Sequence, residues 1–272
     1  MGTMHNPQIL LPTDLKYVCD LGSAHGAVRT LGLARGDRAV VCYAVRAEGG
    51  RRDAEAFVER LRGHASVEHA HVLPIQDVEL APDGMVFLLT PYTGNPDGLV
   101  TLADLATVKA GQASPFEVGR GVHQLLEASV HAHALGLYQG PFTSSDVLVD
   151  PHGSLLIELY GISRVLAGLD CTQPRLARDE VNSIASIAYH MLTGMDAAEP
   201  RVRASRLVKR LDRVWDVWFD EALDPSGGFE TAAEALAALP GQGVVETRPT
   251  NSGGVFARLR RAVGTESVRH QD

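Results

Sequence analysis

The sequence predicts an α+β protein in which a small β-rich part precedes a larger helical part. Residues 15–46 alternate short β-rich runs with glycine, a pattern typical of a β meander. Beyond residue 98, long alanine- and leucine-rich stretches indicate helices. The 272 residues, 45% hydrophobic and 21% charged, suffice for one large domain or two small ones, and they exclude disorder over most of the length.

The first part is predicted to contain a meander, one helix and two more strands. Between Arg52 and Arg62 the apolar residues recur at i, i+3, i+4 and i+7, which indicates an amphipathic helix. A turn containing proline, aspartate and glycine at 81–84 separates the last two strands. In order, the predicted elements are strands at 17–19, 27–31 and 38–46, a helix at 52–62, and strands at 72–78 and 85–89.

The second part is predicted to be helical apart from one hairpin. A glycine-, asparagine- and proline-containing stretch near residues 90–98 joins it to the first part. The hairpin covers 147–157 and contains an Asp-Pro-His-Gly turn. The predicted helices are at 101–110, 115–135, 179–193, 202–222 and 230–239.

Charge and composition exclude several classes of function. The 33 acidic side chains outnumber 25 basic ones, and a formal charge of −8 disfavours binding to nucleic acid. No window approaches 18 consecutive apolar residues, and the first ten residues lack the pattern of a secretory signal. We therefore expect a cytoplasmic protein with no membrane span. Cys19, Cys42 and Cys171 are isolated and are predicted to be free thiols.

Four strings in a fixed order carry a resemblance to a known family. They are FLLTPYT at 87–93, QGPFTSSDVLV at 139–149, IELYG at 157–161, and EVNSIASIAYHMLTG at 180–194. Together they resemble the hinge, catalytic loop, D-F-G segment and buried helix of the protein kinase fold, in its bacterial serine/threonine form.

The resemblance covers about residues 16–240 and implies two lobes. It implies an amino-terminal extension at 1–15, a β-rich N-lobe at 16–92, and a helical C-lobe at 93–240 with a shortened activation segment. Residues 241–272 are expected to form a flexible tail. The tail contains a basic amphipathic piece at 255–263, which either docks on an acidic partner or is solvated.

The residues at the family's catalytic positions are degenerate. Aligning Asp146-Val-Leu-Val with the N-V-L-V end of the catalytic loop puts Pro141 where the resemblance implies the proton-accepting aspartate, and Pro141 has no group that accepts a proton. Leu159 replaces the magnesium-binding aspartate of D-F-G and lacks the oxygen that magnesium requires. Glu158 is adjacent, but on a strand it would point to the opposite face, so we do not expect it to compensate.

The phosphate-pairing lysine is missing. The three lysines are Lys16, Lys109 and Lys209, so the third strand has none. One alignment puts Arg46 in its place, with Glu59 as the helix partner, whereas spacing from the glycine-rich loop favours Tyr43.

The glycine-rich loop keeps Gly22 and Gly26, lacks a third glycine and is one residue shorter than the family's loop. It is interpreted as a compromised phosphate cradle or as an ordinary hairpin turn.

The platform for a peptide substrate is also predicted to be lost. Only 18 residues separate Gly161 from Glu180, with no A-P-E motif. Gly228 stands where the family has the arginine that pairs with the glutamate of that motif.

These losses predict a pseudokinase, a catalytically inactive kinase-like domain that acts as a regulator or scaffold by binding another protein, such as an active kinase or a signalling assembly. One alternative is an atypical ATP-dependent phosphotransferase using Asp146, Glu158 and Arg46. Another is a sensor of nucleotides or small ligands.

The resemblance leaves ATP open as a ligand and predicts no magnesium site. The histidine pairs 69/71 and 131/133 do not predict a metal site. A cleft for nucleotide would involve Gly22, Gly26, Arg46, Glu59 and Thr90.

Overall fold

A computed structural model describes residues 12, 14–96, 98–109 and 113–241 of the chain. The predicted extension at 1–15 is described only at residues 12, 14 and 15, and the predicted tail lies outside the described residues except for Gly241. Within these ranges the chain forms a sheet lobe followed by a helical lobe, which confirms the predicted α+β class.

The sheet lobe is a five-stranded antiparallel sheet in the order β1-β2-β3-β5-β4, with one helix, α1, packed on it. Val58 and Leu61 of α1 are buried against the sheet, as the amphipathic pattern predicts. The meander and the helix are therefore confirmed. The elements are β1 (Lys16–Ala24), β2 (Ala27–Ala34), β3 (Arg38–Arg46), α1 (Arg51–His64), β4 (Asp77–Leu80) and β5 (Met85–Pro91).

The helical lobe is built around two long helices, α3 and α5, and includes the predicted hairpin. Ser114 begins α3 with a capping box, in which its hydroxyl accepts from the backbone N–H of Glu117. The elements are α2 (Leu102–Lys109), α3 (Pro115–Ala134), β6 (Val147–Val149), β7 (Leu155–Ile157), α4 (Ile162–Leu166), α5 (Leu176–Thr193), α6 (Ala204–Leu207), α7 (Val214–Ala222) and α8 (Ala232–Ala237), with a 3-10 helix at Ser144–Asp146.

Two predicted elements have the wrong bounds, and one helix was missed. The stretch 202–222 is two helices rather than one, because Arg210 is left-handed (φ 63°) and the Asp212 carboxylate accepts from the backbone N–H of Val214 to begin α7. β4 begins at Asp77, whereas Val72 forms only an isolated bridge to Ile157. Helix α4 was not predicted from the sequence.

The two lobes share an apolar core. Leu159 and Ile162, which follow β7, pack in one cluster with Val58 of α1 and Val86 of β5. Between α1 and β4, the backbone of Leu73 donates to the carbonyl of Ile157. The segment after β7 is therefore held between the lobes. No helix in the described ranges has the length and apolarity needed to cross a membrane.

Candidate functional site

Glu158 lies at the centre of the cleft between the lobes and is fully buried. It accepts three hydrogen bonds, each from a different element of the sheet lobe. The Tyr43 hydroxyl on β3 donates to Oε1 at 2.5 Å, and Arg29 Nη1 on β2 donates to the same oxygen at 3.2 Å. His25 Nε2, in the β1–β2 turn, lies 3.1 Å from Oε2. One carboxylate of the helical lobe thus joins three sheet-lobe side chains.

The surroundings of Glu158 keep it ionised. Burial by itself would raise the pKa of the carboxyl, but hydrogen bonds from His25 and Tyr43 and the charge of Arg29 outweigh burial and lower the pKa. Burial, followed by the neighbouring Glu158 carboxylate, raises the pKa of the Tyr43 hydroxyl well above its ordinary value. Tyr43 is therefore a neutral donor, and the charge of Glu158 is balanced by cationic or polar groups.

The β1–β2 turn brings His25 into the cleft. Ala24 pairs directly with Ala27, and the two residues between them, His25 and Gly26, have φ of 54° and 75°. Positive φ at both positions is typical of a two-residue type I′ hairpin. The His25 side chain is only 9% exposed, and its Nδ1 lies 3.7 Å from Oδ1 of Asp146. The hairpin-turn interpretation of this loop therefore fits its backbone, and its histidine contacts both acidic residues of the cleft.

β3 directs Tyr43, not Arg46, toward the cleft. Side chains three residues apart on a strand point to opposite faces. Arg46 is exposed at the end of β3 and donates to the carbonyl of Asp83 at 3.1 Å. Glu59 is exposed on α1 and pairs with Arg62 at 2.8 Å. The structure therefore does not bring Arg46 and Glu59 together.

The loop at 139–141 is held by its backbone. The N–H groups of Gln139 and Gly140 donate to Oε1 of the buried Glu180 at 2.6 and 3.1 Å. The Tyr160 hydroxyl donates to Oε2 at 2.6 Å, and His133 Nε2 lies 3.1 Å from that oxygen. Pro141 follows at the surface. The buried Glu180 carboxylate therefore fixes the conformation of this loop.

Asp146 ends the same loop and is partly exposed, with 24% of its side chain accessible. Its Oδ2 accepts from the backbone N–H and the hydroxyl of Thr143 at 2.6 and 2.9 Å, which caps the 3-10 helix. Only Oδ1 faces His25. One of the two carboxylate oxygens of Asp146 is thus occupied by the cap of the 3-10 helix.

Leu159 and Glu158 have the reverse of the expected orientations. Leu159 is fully buried in the apolar cluster between the lobes, whereas Glu158 faces the cleft. The expectation that Glu158 points away from the cleft is wrong. The reason is that β7 ends at Ile157 and Leu159 has φ of 48°, so strand alternation does not continue through this segment.

The remaining predicted cleft residues lie on the sheet lobe. Gly22 and Gly26 have φ of 74° and 75°, and a Cβ at either would meet nothing within 4 Å, so the backbone conformation rather than close approach favours glycine. Thr90 is fully buried on β5 opposite Val41. A role for Gly22, Gly26, Arg46, Glu59 and Thr90 in nucleotide binding stays a prediction.

The histidines of the pairs 69/71 and 131/133 contact one another or Glu180. The ring of His69 stacks on that of His131 with centroids 5.2 Å apart and meets His71 edge-on at 5.6 Å. His133 instead contacts Glu180. Within the described part of the chain, no group of three or more histidine, cysteine or acidic residues is placed to hold a metal ion.

Comparison with solved structures identifies the architecture. The crystal structure of the Mycobacterium tuberculosis PknI kinase domain aligns with 84% of this chain and 95% of that domain, with a TM-score of 0.62 and 19% sequence identity. The chain has a protein kinase fold. Neither a scan against protein-family models nor a search of curated proteins returned a match for this sequence.

Two residues of the kinase-like cleft were missed in the sequence, His25 and Arg29. The available signal was a charged residue beside an apolar run. Arg29 interrupts the mainly apolar sequence of β2, and Glu158 directly follows the apolar strand β7. Buried ionised groups are rarely unpaired, so two such residues of opposite charge indicate a contact.

Glu158 is expected to make the stability of this kinase fold depend on pH. The ordinary pKa is 4.5 and that of folded Glu158 is lower, so the unfolded chain takes up the proton first as the pH falls. The contribution is complete above about pH 5 and is lost as the pH falls through the folded pKa, with a slope of at most about 1.4 kcal/mol per pH unit. Urea unfolding between about pH 3 and pH 7 measures it.

Glu158→Gln is the matched control for this titration. The variant keeps the size of the side chain and removes its proton equilibrium. Its free energy of unfolding is expected to fall less steeply than that of the wild type at acidic pH. Parallel curves for the two proteins would contradict the assignment of this pH dependence to Glu158.

Proposed function

We propose that this chain is a pseudokinase, a kinase-like domain that transfers no phosphoryl group and acts as a regulator or scaffold by binding another protein. One observation carries the proposal. In the cleft between the lobes, Glu158 is bonded to Tyr43, Arg29 and His25 of the same chain. In this proposal the network takes the place of the lysine, metal ions and phosphates that an active kinase brings together between its lobes.

The residues at the chemical positions support this proposal. Phosphoryl transfer depends on a proton acceptor, metal-binding oxygens and a lysine that neutralises the phosphates. Here the corresponding residues are Pro141, Leu159 and Tyr43. Loss of general-base catalysis alone costs about 10²–10⁴ in rate. Leu159 lies in an apolar cluster, so it also excludes a cation from that point.

The electrostatics of the cleft also disfavour a bound triphosphate. Asp146 and Glu158 are both carboxylates, and the groups that could pair with added phosphates, the Arg29 guanidinium and the His25 ring, already contact them. A nucleotide would have to separate these groups, which leaves Glu158 buried without its partners. Separating a buried ion pair in this way costs several kcal/mol.

The alternative phosphotransferase is less well supported. It requires Arg46 to act together with Asp146 and Glu158. Arg46 instead bonds the turn between β4 and β5, and it is exposed. His25 bridges Asp146 and Glu158 without it.

Incubation with radiolabelled ATP tests the proposal. The full chain, with magnesium or manganese and with a general protein acceptor, is expected to show no phosphoryl transfer above that of a heat-denatured sample. An active bacterial serine/threonine kinase domain is the positive control. Transfer by the wild type that is lost in Asp146→Ala would overturn the proposal in favour of the phosphotransferase.

A thermal-shift titration separates the pseudokinase from a nucleotide sensor. A ligand at 100 times its dissociation constant stabilises the folded state by about 2.7 kcal/mol. We expect no shift with ATP, ADP or GTP, with or without a divalent cation. Stabilisation by a nucleotide without phosphoryl transfer would identify the sensor instead.

The scaffold role requires a protein partner. The chain, immobilised as bait in an extract of its native host, is expected to retain one protein reproducibly above a bait of an unrelated kinase domain. A direct binding measurement with that purified protein then checks the interaction. Failure of every retained protein to bind directly would contradict the scaffold role.

A further inference from the structure

The chain from α6 to the start of α7 carries a dense set of exposed cations. Residues 203–213 contain five cationic side chains and one carboxylate, that of Asp212, although the whole chain has a formal charge of −8. Ala204 and Leu211, which lie among the cations, are 1% and 8% exposed and belong to the core of the lobe. The exposed cations, here called the basic surface, are Arg203, Arg206, Lys209, Arg210 and Arg213.

The basic surface is not neutralised by the described part of the chain. None of its five cations forms an ion pair with a described carboxylate, whereas the preceding Arg201 pairs with Glu199 and Asp220 at 2.7 and 3.0 Å. The Asp212 carboxylate accepts from the backbone N–H of Val214 at the start of α7. Uncompensated cations so close together in sequence give this part of the surface a positive potential.

Hydrogen bonds hold the basic surface in one compact shape. The backbone N–H and the hydroxyl of Ser205 donate to the two oxygens of Asp216 at 3.0 and 2.5 Å, and Asp216 is buried on α7. The backbone N–H of Val208 donates to the carbonyl of Ala204. Because α6 is tied to α7 in this way, the cations between them are presented together.

An apolar groove adjoins the basic surface. Asp212 and Val214, on either side of Arg213, line this groove, which lies between α7 and the start of α3 and has a volume of about 520 Å³. Trp215 forms its floor and is 4% exposed, whereas Phe116 at its edge is 79% exposed. An exposed apolar surface of this kind marks a site of interaction.

The other charges near the groove do not reverse the sign of the potential. Arg120 and His123 line its α3 side, and His123 pairs with Glu127 at 3.1 Å. Among the lining residues, Asp212 carries the only carboxylate. Glu221 is exposed at the far end of α7, away from the basic surface.

We propose that the basic surface and the adjoining groove bind a segment of a partner protein that carries both carboxylates and apolar side chains. The apolar side chains enter the groove over Trp215, and the carboxylates pair with the arginines, whose guanidinium groups match a carboxylate with two parallel hydrogen bonds. The inference rests on the proposed function only in that the partner is a protein.

The shape and the net charge favour a protein segment over the other anionic surfaces. A flat bilayer would meet the exposed side chains, such as Phe116, but would not reach the floor of a concave groove. A long polyanion such as duplex DNA would be repelled by a chain with a formal charge of −8. A short acidic segment needs only the local potential.

Selection from a phage-displayed library of random peptides, with the full chain immobilised, tests the proposal. The selected peptides are expected to be enriched in aspartate and glutamate together with leucine, isoleucine or phenylalanine. A selected peptide, synthesised with a fluorescent label, is the probe for anisotropy titrations. Its affinity is expected to fall as the salt concentration rises, because the cations are exposed.

Two variants locate the binding of the probe. The double variant Arg206→Glu and Arg213→Glu reverses two charges of the basic surface and is expected to weaken binding by about tenfold or more. Phe116→Ser removes the apolar edge of the groove and is expected to weaken binding by about tenfold. All three side chains are exposed, so both variants are expected to keep the circular dichroism spectrum of the wild type.

The double variant Arg38→Glu and Arg52→Glu is the matched control, since it makes the same change of charge at exposed positions of the sheet lobe. It is expected to change the affinity by less than about twofold. Selected peptides without acidic enrichment, or equal losses in the two double variants, would overturn the proposal. Failure to select any peptide, with phosphatidylserine vesicles or duplex DNA bound instead, would overturn it in favour of a lipid or nucleic-acid surface.

The same proteins distinguish a failure of this inference from a failure of the proposed function. Phosphoryl transfer in the ATP assay, with binding of the acidic probe intact, would refute the pseudokinase and leave the binding surface in place. No transfer and no binding of acidic peptides would refute the binding surface and leave the pseudokinase in place.

Discussion

Glu158→Ala is expected to lower the free energy of unfolding by about 3–5 kcal/mol. The substitution leaves the Arg29 guanidinium, whose side chain is 15% exposed, without its carboxylate. It also leaves the buried Tyr43 hydroxyl without its acceptor. Urea unfolding followed by far-ultraviolet circular dichroism measures the loss. The size of the effect follows from removing one partner of a buried ion pair while the other stays in place.

The controls for this prediction distinguish the buried network from a general loss of charge. Glu55→Ala removes an exposed i,i+4 partner of Arg51 and is expected to change stability by less than about 0.5 kcal/mol. Glu158→Gln keeps a hydrogen-bond acceptor and is expected to lie between the two. A loss for Glu158→Ala that matches that of Glu55→Ala would show that the contact between the lobes does not form.

Glu180→Ala is expected to have a comparable effect on the helical lobe. It removes the acceptor of the backbone N–H groups of Gln139 and Gly140 and of the Tyr160 hydroxyl. An unsatisfied buried donor costs about 1–3 kcal/mol, so the loss is expected to reach about 3 kcal/mol or more. The denaturant midpoint measures it. If the alanine variant does not fold, Glu180→Gln provides the measurement, because it retains one carbonyl oxygen.

Glu230→Ala is the matched control in the same lobe. Glu230 is exposed, and its nearest cation, Arg178, is 3.8 Å away. Its removal is expected to be nearly neutral. Equal denaturant midpoints for the Glu180 and Glu230 variants would contradict the role of Glu180 in holding the backbone of the loop at 139–141.

Much of the kinase fold can be predicted from the chain because its motifs are local. Hydrophobic periodicity predicts α1 and α3, and glycine-containing turns predict the meander and the hairpin at 147–157. The order of four short strings predicts the architecture. Boundaries are less accurate where one backbone conformation interrupts a favourable pattern, as Arg210 does between α6 and α7.

The proposed substitutions at the catalytic positions are predicted in part from the same strings. The absence of lysine between residues 17 and 108 is a property of composition, and Pro141 and Leu159 follow from alignment with adjacent motifs. The sequence does not determine whether Tyr43 or Arg46 aligns with the family's phosphate-pairing lysine, because the two alignments place the one-residue gap of the shortened loop differently. In the structure the Tyr43 side chain contacts Glu158, whereas Arg46 is exposed at the end of β3.

Residue identities along the chain determine the order of elements and the net charge, since each depends on local sequence. Only the tertiary structure decides that Glu158 faces the cleft and that His25, 133 residues away in sequence, meets it. The reason is physical. The left-handed conformation of Leu159 and the two-residue hairpin at His25-Gly26 set directions that strand alternation does not predict, and a contact between lobes exists only once both lobes have packed.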